Sequence, residues 1–234
     1  MQKILKWVVI LFSLLIVLIY VFNIEYVLKG IRVTYLTGNN TAFLSDYDYF
    51  DNRAIDASPV AQPWPEHKKY NNISETEKLK TINQEMETKA FLVIKNDSII
   101  YEKYFDGYSE SSKSNSFSMA KSIVVTLLGK AIMEGKIESL DQPVSDFFDQ
   151  YSTGFGESLT VGDLASMSSG MAWNEKYYSI INITTESYFS EDLRSLILNQ
   201  EVIKTPGEKF RYSSGDTQLL GMVIEKATGI NISD

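Results

Sequence analysis

The chain has 234 residues, 44% of them apolar and 12% aromatic, and a formal net charge of −8. That charge argues against a nucleic-acid partner, which basic patches recruit through phosphates, and the length suits one domain plus an extension. There is no cysteine and a single histidine, His67, which excludes disulfides, thiolate metal sites and a cysteine nucleophile and leaves no basis for a Ser-His-Asp triad or a histidine-built metal cluster.

In chain order, the first element is an apolar run. Residues 7–24 carry no charge, and their polar members are only Ser13, Tyr20 and Asn23. That length nearly matches the roughly 20 residues needed to cross a bilayer core. Lys3 and Lys6 precede it and Glu25 follows, so the lysine bias keeps the amino end inside. No A-x-A-like cleavage pattern follows, which favours an uncleaved signal-anchor over a leader. Residues 1–24 are thus read as a cytoplasmic tip and one transmembrane helix, with the rest facing the periplasm or cell exterior.

Residues 25–88 read as an extension packing on the domain. Within it, Asp46, Asp48 and Asp51 hint at calcium, but an EF-hand loop would place Phe50 at its fifth position and lacks the glycine at its sixth. The segment is read as packing its aromatics, with no metal. Pro63-Trp64-Pro65 restricts the backbone, and His67 beside it reads as a surface residue. Ser74-Glu75-Thr76-Glu77 signals a short helix start.

Residues 89–234 hold the informative pattern. Ala90 to Ile94 and Ser98 to Glu102 flank an Asn96-Asp97 turn. Their continuous apolar character predicts hairpin strands buried on both faces. A serine-rich loop then leads to Ser118-Met119-Ala120-Lys121 and an apolar helix ending before Gly135. So apolar a helix is expected to run through the centre of a domain.

Ser118 is the only serine here with lysine three positions on. A serine hydroxyl needs a base to attack a carbonyl, and on a helix the two side chains share one face. The bland alternative is a capping serine beside a solvated lysine. Tyr212-Ser213-Ser214 follows a short strand-like run and supplies a second candidate proton carrier, or else a core aromatic with a bonded hydroxyl.

These motifs resemble the serine β-lactamase and penicillin-binding-protein superfamily, specifically its class C-like branch of esterases, D-amino peptidases and aminohexanoate-oligomer hydrolases. The resemblance covers residues 86–234. LDQPV at 140–144 is similar to the family's segment after the nucleophile helix. LTVGDLASMSSGM at 159–171 is similar to its next helix, and PGEKFRYSSGD at 206–216 to its tyrosine motif.

The resemblance implies an α+β fold, a sandwich of antiparallel sheet with helices on both faces beside a helical subdomain. It implies a hydrolase forming an acyl-enzyme on Ser118, with Lys121 and Tyr212 sharing the proton work and Ser214 orienting Lys121 or the substrate. The substrate would be a small or peptide-like amide, ester or lactam, and no cofactor is called for.

Two departures qualify this. The tyrosine motif ends in Ser214 where asparagine is usual, and the late Lys/His-Ser/Thr-Gly strand motif has no counterpart. Thr228-Gly229 lies at the end of a helix-like run. The fold is therefore expected to be incomplete and this chain to hydrolyse poorly. The opposing reading is a non-catalytic envelope protein that binds peptidoglycan peptides or a protein partner.

Overall fold

A computed structural model describes residues 2–177 and 179–234. The apolar N-terminal run forms helix α1 (Gln2–Val21), and its side chains are almost all exposed. A helix apolar all round needs an apolar surrounding, and by length and composition this one is sufficient to cross a membrane.

Only four residues separate α1 from α2 (Tyr26–Val33). This helix is amphipathic and buries Tyr26, Val27, Gly30 and Val33. Its partner is α6 (Ile183–Phe189), whose Phe189 ring lies so close that a Cβ on Gly30 would sit 3.2 Å from it. Phe50 stacks on Phe189 and meets Tyr188 edge-on. The buried Asp46 carboxylate accepts from Phe43 N–H at 3.1 Å and from Tyr188 Oη at 2.9 Å.

The described residues fall into two units, Met1–Asp51 with Ser116–Asp234, and Asn52–Asn115. In the second unit, α3 (Glu77–Glu85) is capped by the Thr76 hydroxyl, which accepts from Leu79 N–H. Strands β1 (Ala90–Lys95) and β2 (Ser98–Tyr104) pair antiparallel. Asn96 and Asp97 both adopt positive φ, 50° and 58°, as a tight primed hairpin turn requires. Residues 65–71 lie along β2: Ile99 N–H donates to Pro65 C=O, and His67 and Asn71 N–H donate to Ile99 and Ile100 C=O. The edge of β2 is thereby covered.

The expectation of strands buried on both faces is not met. No residue of either strand is fully buried, and Leu92, Val93 and Ile94 are exposed. A run of apolar residues records a demand for cover on each face; this two-stranded sheet does not meet it.

In the first unit, α4 (Met119–Met133) ends at Gly135, whose φ of +67° makes it the left-handed stop. The polypeptide continues through 3-10 turns to α5 (Val161–Ala165), α6, α7 (Leu193–Leu198) and α8 (Ser214–Thr228). Thr160 and Asp163 form a reciprocal capping box on α5. Gly170, at φ +69°, is forced: a Cβ there would lie 2.2 Å from the Lys204 carbonyl oxygen.

The central helix is α8, and this corrects the expectation placed on α4. Leu219, Leu220, Val223 and Ile224 of α8 are buried among Leu128, Ile137, Leu164 and Ile197. From α4 only Leu128 and Ala131 are buried, whereas Met119, Ile123 and Met133 are 75%, 60% and 89% exposed. One stripe of α4 packs on α8 and the rest of its apolar surface does not. Truncating Leu219 to alanine would cost roughly 2–5 kcal/mol.

Candidate active site

Ser118 sits at the start of α4, one residue after Phe117, whose φ is +45°. A bulky residue in that region is strained, and such strain is held where the surrounding structure over-determines it. Ser118 makes no side-chain capping hydrogen bond, so the capping alternative fails. Its Oγ instead accepts from Lys121 Nζ at 3.2 Å and from Tyr212 Oη at 2.6 Å. The Lys121 ammonium also lies 5.1 Å from the centre of the Tyr212 ring, a cation–π distance. Residues 94 positions apart thus converge on one hydroxyl.

Tyr212 stands in an irregular extended segment rather than on a strand. Lacking a sheet ladder, the segment is laced to residues 163–174 by other bonds. Gly207 N–H donates to Ser168 C=O, Arg211 N–H to Met167 C=O, and Arg211 Nη2 to Asn174 Oδ1. Immediately after it, Ser213 caps α8 by accepting from Asp216 N–H at 3.0 Å. Trp173 is buried against Gly215, where a Cβ would lie 2.5 Å from the indole. Only glycine permits that approach.

Ser214 is engaged by a residue the sequence did not single out. The Glu175 carboxylate accepts from Ser214 N–H at 2.9 Å and Ser214 Oγ at 2.7 Å, and also from Trp173 Nε1 at 2.5 Å and Tyr177 Oη at 2.6 Å. Burial works to raise the Glu175 carboxyl, but these donors outweigh it and hold it below the usual range. Burial, then the bond to Glu175, pushes the Tyr177 phenol upward. Among the described residues no hydrogen bond joins Ser214 to Lys121. Glu175 and Tyr177 lie in a loop without periodicity, and their only sequence signal is an acid two positions after a tryptophan.

This arrangement offers a carbonyl an oxygen nucleophile flanked by two groups able to carry protons. Among the described residues no cluster of His, Cys, Asp or Glu is arranged to hold a metal. A sequence profile of the Beta-lactamase family matches residues 74–233, well over half of the chain. The chain belongs to the beta-lactamase family.

Within that family it is 25% identical over 154 residues to the 6-aminohexanoate-dimer hydrolase of Paenarthrobacter ureafaciens, covering 61% of this chain and 39% of the relative. It is also 25% identical over 151 residues to Protein flp of Staphylococcus aureus (strain NCTC 8325 / PS 47), covering 59% and 30%. A solved Bacillus anthracis structure ascribed to a 6-aminohexanoate-dimer hydrolase superposes with a TM-score of 0.58 at 21% identity, over 67% of this chain and 44% of that one. The shared fold is the β-lactamase-like α+β fold. This chain spans less than half the length of these relatives.

Proposed function

We propose that the protein is a membrane-anchored serine hydrolase that faces the periplasm or cell exterior and acts on an amide, ester or lactam carbonyl through an acyl-enzyme on Ser118. The observation that carries this is the double approach to Ser118 Oγ, from Lys121 Nζ and Tyr212 Oη. An amide substrate is favoured by the relative named for hydrolysis of the 6-aminohexanoate dimer.

The chemistry follows from who holds the protons. Ser118 Oγ accepts from both neighbours, and either can act as its base once one proton of the pair has passed to water. The pair then takes the Ser118 proton while the Oγ–C bond forms and the carbonyl oxygen becomes an oxyanion. Collapse breaks the bond to the leaving group, which receives that proton. Water repeats the sequence on the ester and frees Ser118. The Ser118 backbone N–H is the oxyanion donor this reading assigns within the chain. Ser214, held by Glu175, fixes the end of the segment that carries Tyr212.

Anchoring by α1 is supported by its apolar length and by Lys3 and Lys6 at its amino end. Turnover of p-nitrophenyl butyrate by the chain and by Ser118→Ala tests the activity. Loss of at least about 10²-fold is expected on removing the nucleophile. Equal turnover would refute it, and ligand binding with no serine-dependent turnover would fit a non-catalytic envelope protein.

A further inference from the structure

A cavity of about 320 Å³ lies in the first unit, lined on one side by the segment that follows α1 and on the other by the loop that carries Tyr177. Thr34, Tyr35 and Ala42 contribute from the N-terminal segment, and Ile180 and Phe189 from the opposite side. Two of its lining residues adjoin the candidate active site. Phe117 immediately precedes Ser118, and Tyr177 shares the Glu175 carboxylate with Ser214, two residues beyond Tyr212.

Several polar side chains of this lining are already hydrogen-bonded. Tyr177 Oη donates to Glu175 and Tyr188 Oη to Asp46. Thr184 Oγ1 accepts from Lys176 N–H, and Thr185 Oγ1 donates to Ser179 C=O. Thr34, Asn40 and Thr41 add polar groups to a wall that is otherwise mostly apolar, and the one charged residue of the lining is Lys176. Lys176 forms no ion pair among the described residues. No carboxylate lines the cavity, since Asp46 and Glu175 stand behind the tyrosines that do.

We infer that this cavity is a substrate subsite for a short apolar chain ending in a carboxylate, with Lys176 as the residue that reads the charge. Apolar walls bury the chain, and an ammonium without an ion-pair partner rewards an anionic end. The segment after the anchor therefore does more than connect, because it forms one wall of the subsite. This deepens the proposed activity and rests on it for Ser118 as the reacting group, whereas occupancy of the cavity can be read without that reaction.

The test uses the full chain and hexanoate as probe, with 1-hexanol as its uncharged counterpart. A neutral fluorophosphonate labels Ser118, and protection is scored against each protein's own unprotected rate. Hexanoate should protect at concentrations where 1-hexanol does not. Lys176→Gln should raise the half-protecting concentration about tenfold or more, as loss of one charge-assisted bond implies. Ala42→Trp, which narrows the cavity from the N-terminal side, should weaken hexanoate protection as well.

Equal protection by the two probes, or an unchanged value in Lys176→Gln, would overturn the inference. If Ser118 takes no label at all, the hydrolase reading fails by itself. Saturation transfer from the protein to hexanoate then decides the subsite: transfer lost in Lys176→Gln supports it, and transfer unchanged refutes it.

Discussion

Ser214 gives both its backbone N–H and its hydroxyl to the Glu175 carboxylate, at 2.9 and 2.7 Å, across 39 residues of sequence. The bond ties the first turn of α8 to the Trp173–Tyr177 loop and holds the end of the segment that delivers Tyr212 to Ser118. A carboxylate at a helix N-terminus is also favoured by the helix dipole.

Glu175→Ala should therefore strand donors and loosen Tyr212 together. Each buried donor left unpaired costs roughly 1–3 kcal/mol. The expected outcome is a clearly lower melting temperature and ester turnover reduced at least about tenfold, with Glu175→Gln between the two. Circular-dichroism melts and p-nitrophenyl butyrate turnover are the readouts, and a Glu175→Ala protein unchanged in both would remove the clamp from the account.

Tyr212→Phe keeps the ring and removes only the hydroxyl that lies 2.6 Å from Ser118 Oγ. Acylation should slow by about 10²–10⁴, the usual contribution of a positioned proton carrier. Stability should hold, because Tyr212 is partly exposed. Pairing this variant with Lys121→Met should give a loss well short of the product of the single losses, because groups acting as one unit are not additive. Stopped-flow acylation separates these outcomes, and strictly multiplicative losses would show that the two side chains act independently.

Burial pushes the Asp216 carboxyl up to about 6, against hydrogen bonds from Ser213 and Ser169 that favour its charge, while Asp163 adds to the rise. The folded form thus binds a proton more tightly than the unfolded one. Stability contributed at this group is full below about pH 4 and is lost as pH climbs through about 6, by a total on the order of 3 kcal/mol. The melting temperature of the natural chain relative to Asp216→Asn should rise as pH is lowered from 7 to 5. A difference that does not move with pH would contradict this assignment.

Much of this layout was legible in the sequence, for local reasons. Asn96-Asp97 specified a turn that only certain residues tolerate, Gly135 specified a helix stop, and the three-residue step from Ser118 to Lys121 fixed their shared helical face. Burial was legible only as demand. The apolar content of α4 and of the hairpin did not say which faces would be covered, and α8, less uniformly apolar, became the central helix. Glu175 was invisible because its role depends on partners at Trp173, Tyr177 and Ser214 that meet only after folding.

The apolar helix α1 should hold the protein in the membrane with Lys3 and Lys6 inside. Alkaline carbonate should leave it in the pellet, and protease added from the exterior should digest the body while sparing the amino end. Soluble material with a new amino terminus near Asn23 would show a cleaved leader instead.

Ser118 as the nucleophile is the assignment on which the other roles at this site depend. It is checked by intact-mass measurement after treatment with a fluorophosphonate, followed by peptide mapping. One adduct is expected, located on Ser118, slowed in Tyr212→Phe and absent from Ser118→Ala. A natural chain that takes no adduct, or an adduct on another serine that persists in Ser118→Ala, would contradict it.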